Sequence, residues 1–207
     1  MKTNEIIEKR SLPLEIRMDD EGDSRSVKGY AVVYDTWTDI GNWYREKIAP
    51  GALRSALMNS DIRLLLNHDS NHLLARQKSG TLSVREDEKG LYFEATIPES
   101  REDVYEMVKR GDLDECSFAF RVSKDEWRYA YENDDLDVDE RVIKEISIVP
   151  EITLATFGAY KTTSVDLRTY EEAKKAHEER VKSDESEKSK IENEARSREL
   201  ELLTYIQ

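Results

Sequence analysis

The chain holds three histidines and one cysteine in 207 residues, so catalytic or metal chemistry has few places to start. His68 ends the apolar run Leu64-Leu65-Leu66, a position from which a rigid scaffold presents a side chain to a cleft. With His72 it has the i, i+4 spacing that holds a metal if the segment is helical, but Asp69 follows where a zinc protease carries its glutamate base. His177 lies among charges and reads as solvated. Strand alternation splits Cys116-Ser117-Phe118-Ala119-Phe120-Arg121-Val122 into an apolar face of Cys116, Phe118, Phe120 and Val122 and a second face of Ser117, Ala119 and Arg121. Cys116 is then expected to be a buried, inert thiol without an activating partner. Ser117 is expected to face outward beside a small residue that leaves room for a substrate. In Lys144-Glu145-Ile146-Ser147-Ile148-Val149 the same alternation turns Ile146 and Ile148 inward. Glu145 is left on the other face, either as a surface group or as an orienting partner for a histidine. The acidic run Asn133–Glu140 lacks the glycine and the terminal bidentate glutamate that a calcium loop needs.

The elements that must position these residues are mostly short strands. Val27–Tyr34, Arg63–His68, Gly80–Arg85 with Leu91–Ile97 across an acidic turn, Cys116–Val122 and Val142–Val149 have the β-branched and aromatic content of strands. At least six such pieces predict a closed or nearly closed antiparallel sheet, flanked by helices. One helix is signposted by Ser100 and Asp103 as a capping pair, Val104, Met107 and Val108 on one face, and Gly111 as the stop. A shorter one spans Pro50–Met58, with Leu53, Ala56 and Leu57 on one side. Asp125–Glu140 reads as an exposed acidic loop.

Composition divides the chain and limits its partners. Residues 1–25 form an N-terminal segment and 26–165 a domain. Residues 166–207 form a tail with 12 acids and 9 bases in 42 positions, no Gly and no Pro, expected to be a solvated helix or disordered. The balance of 32 Lys+Arg against 45 Asp+Glu, −13 overall, argues against nucleic acid as a partner, because phosphate binding rests on clustered bases. No apolar run approaches the ~20 residues of a membrane span, and Met1–Arg17 has no apolar core of a signal peptide, so a cytoplasmic protein is expected. A lone cysteine builds neither an internal disulfide nor a zinc site, leaving packing to stabilise the fold.

The order His68, the helix ending Lys109-Arg110-Gly111-Asp112, Ser117-Phe118-Ala119-Phe120-Arg121 and Glu145-Ile146-Ser147-Ile148-Val149 resembles the prohead (capsid maturation) proteases of tailed bacteriophages. The resemblance covers roughly Val27 to Tyr160. It is supported by Val27-Lys28-Gly29-Tyr30-Ala31-Val32, Ile48-Ala49-Pro50-Gly51-Ala52, Leu66-Asn67-His68-Asp69, Ser79-Gly80-Thr81-Leu82 and Gly90-Leu91-Tyr92-Phe93-Glu94-Ala95. It implies a serine endopeptidase with the antiparallel β-barrel of the herpesvirus assembly protease, six or seven strands with flanking helices. Ser117 would be the nucleophile, His68 the general base and Glu145 the group that orients the imidazole, with no cofactor and no metal. Backbone amides or Arg121 would stabilise the oxyanion. The resemblance further implies action inside the immature capsid on the scaffold portion of the major capsid protein, on a scaffold protein, and on the enzyme itself. The charged tail would be a tether that is clipped off, and a homodimer is plausible by analogy with the herpesvirus enzymes. Two other readings stay open. One is a catalytically silent assembly or scaffolding protein on the same barrel, and the other a metal-dependent hydrolase using His68 and His72.

Overall fold

In the computed structural model, residues 7–13, 17–18 and 25–157 are described, together with 170, 171, 174, 175, 178, 179 and 182. The chain divides into two units, Met1–Thr163 and Ser164–Gln207. In chain order the elements are β1 (Glu8–Pro13), β2 (Arg17–Met18), β3 (Ser26–Val33), β4 (Thr38–Ile40), β5 (Tyr44–Ile48), α1 (Arg54–Asn59), β6 (Arg63–Leu66), β7 (Asp69–Arg76), β8 (Leu82–Glu86), β9 (Gly90–Thr96), α2 (Glu102–Arg110), β10 (Glu115–Arg128) and β11 (Asp139–Ala155). In the second unit the seven described positions are helical, and Lys174 Nζ donates to Tyr170 Oη at 3.3 Å. Most of the expected charged tail, 166–207, lies outside the described residues, as does His177.

The expected antiparallel barrel is corrected. The strands form two separate sheets, one of seven strands and one of four in the order β2-β3-β9-β8, and neither closes on itself. The larger sheet runs β1-β10-β11-β5-β4, with β6 and β7 attached to β11 off that path. It is mixed: β11 pairs antiparallel with β10 but parallel with β5 at Asp139–Ile143 and parallel with β6 at Glu151–Leu154. Between those two partners the chain of α1 takes the vacant edge. Ile146 N donates to Ala52 O at 2.8 Å and Val149 N to Ser60 Oγ at 2.9 Å. Alternation along a strand reports which residues face the core, not which strand lies alongside, and this forked, partly parallel pairing left no trace in the hydrophobic pattern.

Locally the sequence reading holds in part. Cys116, Phe118 and Phe120 are buried in one core with Ile146, Ile152 and Leu154, and the two phenylalanine rings stack at 4.7 Å. Gly111 stops α2 in the left-handed conformation, and Asp112 N closes the end on Met107 O at 2.8 Å. Ser100 does not cap that helix: it lies in a 3-10 turn, Glu99–Arg101, and Arg101 pairs with Asp103 at 3.1 Å instead. Gly90 is required because a Cβ there would lie 1.9 Å from Val32 O, so only glycine lets β9 approach β3 this closely. The acidic stretch 125–140 is not simply a loop. Its two ends are strand, and its acids pair with arginines: Arg128 with Asp135 and Glu140, both at 2.9 Å, Arg45 with Glu140, and Arg141 with Asp125 at 2.8 Å.

The N-terminal segment enters the sheet. β1 lies antiparallel on the outer side of β10, with Ser11 opposite Ser117, and is held by buried charges. Arg10 pairs with Glu46 and with Glu8 at 2.8 Å, while Arg141 reaches Glu8 at 2.7 Å and Glu46 at 3.3 Å. Burial alone would raise the Glu8 carboxyl, but Arg141 and Arg10 overcome it and hold it below its ordinary value of 4.5. Removing one member of such a set strands the others without a partner in a dry interior, which costs more than the intact set contributes. Arg141→Met is therefore expected to lose about 3–5 kcal/mol of stability, seen as a lower urea midpoint at unchanged slope. Because the folded-state value of Glu8 is depressed, its contribution is complete above about 4.5 and disappears as pH falls through the lower folded value. Urea midpoints measured from pH 6 downward should decline in that acid window, and Glu8→Gln should flatten the decline.

Candidate active site

A two-residue turn carries the histidine. β6 stops at Leu66, and Asn67 and His68 both take positive φ, 51° and 58°, before β7 begins at Asp69. Two successive left-handed residues are what a tight hairpin turn needs to match strand twist. Asparagine accepts that conformation readily and histidine less so. The turn is fastened to the end of β11: Asn67 N donates to Leu154 O at 2.9 Å, and Asn67 Oδ1 accepts from both Thr156 N and Thr156 Oγ1 at 2.9 Å. The segment expected to be strand through His68 thus ends two residues early, and the imidazole is presented by the turn itself.

The other groups come from the β10–β11 pair. Ser117 stands opposite Thr153, and Glu151 opposite Ala119, two positions along on the same side. Over them lies the His68 ring. Its Nε2 is 2.8 Å from Ser117 Oγ, its Nδ1 is 2.6 Å from Glu151 Oε1, and Thr153 Oγ1 is 3.3 Å from Nδ1. The side chains of His68 and Glu151 are 18% and 13% exposed, and Ser117 is fully buried. An arrangement of hydroxyl, imidazole and carboxylate in line can draw a proton off the hydroxyl. The carboxylate fixes the Nδ1–H tautomer and stabilises the imidazolium that forms, and Nε2 takes the serine proton.

Of the three residues expected here, His68 and Ser117 come together and Glu145 does not. Glu145 is exposed, sits opposite Lys124 and lies six residues before Glu151 on β11, about 20 Å along a strand. The carboxylate at His68 is Glu151, which sequence reasoning missed. Ser117 was expected to face outward, yet both faces of β10 are buried at this point: Cys116 and Ser117 are fully covered and Ala119 is 2% exposed. Burial pushes the Cys116 thiol up, away from the thiolate a nucleophile requires. His72 is exposed on β7, a strand rather than the helix that metal spacing would require, and no cluster of metal-ligating side chains occurs among the described residues.

The profile of the caudovirus prohead serine protease family matches residues 12–177. The chain belongs to that family, a family of serine proteases of tailed bacteriophages. Among curated proteins and among solved structures, none matches the chain. No helix of the described residues is long and apolar enough to cross a membrane.

The two carboxylates on β11 are separable by experiment. Glu151→Gln keeps the shape but lets the imidazole settle in the wrong tautomer, and is expected to slow peptide hydrolysis about 10³–10⁴-fold. Glu145→Gln should leave the rate within about twofold, as exposed substitutions away from a site do. Rates on a labelled protein substrate, with folding checked by urea midpoint, give both answers.

Proposed function

We propose that Ser117 is the nucleophile, His68 the general base and Glu151 the residue that orients it, in an endopeptidase that acts during capsid maturation. The single observation that carries this reading is the His68 ring bridging Ser117 Oγ at 2.8 Å and Glu151 Oε1 at 2.6 Å. His68 accepts the Ser117 proton as Oγ attacks a peptide carbonyl, and returns it to the leaving amine. Water then repeats the sequence on the acyl-enzyme. Thr153, buried opposite the nucleophile, gives the imidazole a second polar neighbour that limits its rotation.

The substrates in this reading are the scaffold portion of the major capsid protein, or a separate scaffold protein, and the enzyme itself, all confined within the immature capsid. Family membership supports it, as does the abrupt change to a dense mixture of acids and bases after residue 166, a segment suited to removal. The test is intact mass after incubation at neutral pH, and cleavage of co-expressed capsid protein, for wild type beside Ser117→Ala. Wild-type protein is expected to shorten both itself and the capsid protein. Ser117→Ala is expected to lose at least 10⁴-fold in rate. Equal maturation by the two proteins would overturn the protease reading in favour of the silent assembly one.

A further inference from the structure

One contact at the nucleophile plays no part in triad chemistry. Ser117 Oγ is 2.8 Å from His68 Nε2 and also 2.8 Å from the backbone carbonyl oxygen of Arg10. A hydroxyl has one hydrogen, and a carbonyl can only accept. Ser117 therefore donates to the Arg10 carbonyl, and its hydrogen is turned away from His68 Nε2. In this state the proton that catalysis must move is engaged by β1.

β1 also resembles a substrate in form. It is an extended segment at the edge of the sheet, antiparallel to the strand that bears the nucleophile, and the carbonyl it brings to the serine is that of Arg10. The Arg10 guanidinium is buried against Glu46, with Nη2 3.2 Å from Glu46 Oε2 and 3.3 Å from Tyr44 Oη, and lies 5.7 Å from the centre of the Phe120 ring. Two residues earlier, Glu8 receives Arg141 through contacts of 2.7 and 3.0 Å. Glu46 and Arg141 belong to β5 and β11, so both stay behind when β1 leaves. The vacated edge then offers a buried acid to one side chain and a buried base to the side chain two positions before it. Charges in a dry seat penalise the wrong occupant strongly.

We propose that β1 sits in the seat of the substrate strand, and that this seat takes an extended peptide reading glutamate, any residue, arginine, with cleavage after the arginine. The proposal rests on the protease reading above and names its substrate class and its resting block. The sequence Glu-x-Arg-Ser occurs at Glu8-Lys9-Arg10-Ser11 and once more, at Glu194-Ala195-Arg196-Ser197. The second copy is the self-cleavage site in the tail. Ser117 Oγ bonds to the Arg196 carbonyl carbon as the Arg196–Ser197 bond breaks, and His68 passes the serine proton to the departing Ser197 amine. Water then hydrolyses the ester, leaving a carboxylate on Arg196 and releasing Ser197–Gln207.

The test gives full-length protein a synthetic peptide spanning residues 190–201, beside versions carrying Arg196→Glu or Glu194→Lys. A single cut after Arg196 is expected, with kcat/KM at least about tenfold lower for each altered peptide, the loss expected of one charge-assisted contact. In Ser117→Ala protein the intact peptide should speed hydrogen exchange at the β1 amides while Cys116–Phe120 stay protected, because one strand replaces the other. Equal rates on all three peptides, or wild-type cleavage with unchanged β1 protection in Ser117→Ala, would overturn the proposal. So would casein cut only at places without this pattern, or Ser117 labelled by a fluorophosphonate with every peptide left whole. All four results leave the protease reading standing. Failure to cut any peptide or casein, together with no labelling of Ser117, would sink both.

Discussion

The pairing of β10 with β11 is the constraint on which the rest of the site depends. It sets Ser117 opposite Thr153 and brings Glu151 within reach of the same imidazole. The parallel contact of β11 with β6 then fixes where the next turn falls, because Leu154 stands opposite Leu66 and Asn67 follows at once. Three sequence-distant groups are thereby located by one strand. The ladder is irregular between Ala119 and Asp125, where its register shifts, but it is unbroken from Glu115 to Ala119, the stretch that carries Ser117 and faces Glu151. A strand supported on both sides holds its side chains more firmly than a loop could, which suits a reaction that requires near-contact distances.

Around that pair the protein accepts a costly interior. Glu8, Arg10, Glu46 and Arg141 are all buried, and each charge is tolerated because its neighbours are of opposite sign and within bonding distance. The network joins β1, β5 and β11, so it fixes the placement of an edge strand that would otherwise be held by ladder bonds on one side only. Specific placement, more than net stability, is what such a set provides. A purely apolar contact would have tolerated a slip of β1 along β10, whereas alternating charges do not.

Much of this was legible beforehand. The apolar face of Cys116, Phe118 and Phe120, the stop at Gly111 and the pairing of His68 with Ser117 follow from alternation, a helix-ending glycine and motif order. The third residue and the sheet architecture did not. Glu145 and Glu151 lie on one strand, and order along the chain does not distinguish them. Counting outward from a turn near residue 135 would have done so, since Ser117 and Thr153 lie equally far from it on either side and Glu151 neighbours Thr153 on the same face. Parallel partners are harder to foresee, because nothing in β5 or β6 alone states which stretch of β11 it will join. The acidic stretch 125–140 misled for a related reason. Its charge suggested exposure, while the arginines that neutralise it sit both inside the stretch, at Arg128, and outside it, at Arg45 on β5 and Arg141 on β11.

The turn at Asn67 and His68 bears on how such a protein can diversify. With the imidazole on one of only two connecting residues, the connection has no slack. An inserted residue would rotate the ring away from β10, and a deleted one would bring Leu66 and Asp69 into a bend too tight for the backbone. The link between β10 and β11, by contrast, spans ten residues from Tyr129 to Val138 and lies at the other end of the hairpin from Ser117. Change of length in this protein should therefore concentrate there, while the two-residue link stays fixed in number whatever happens to its neighbours.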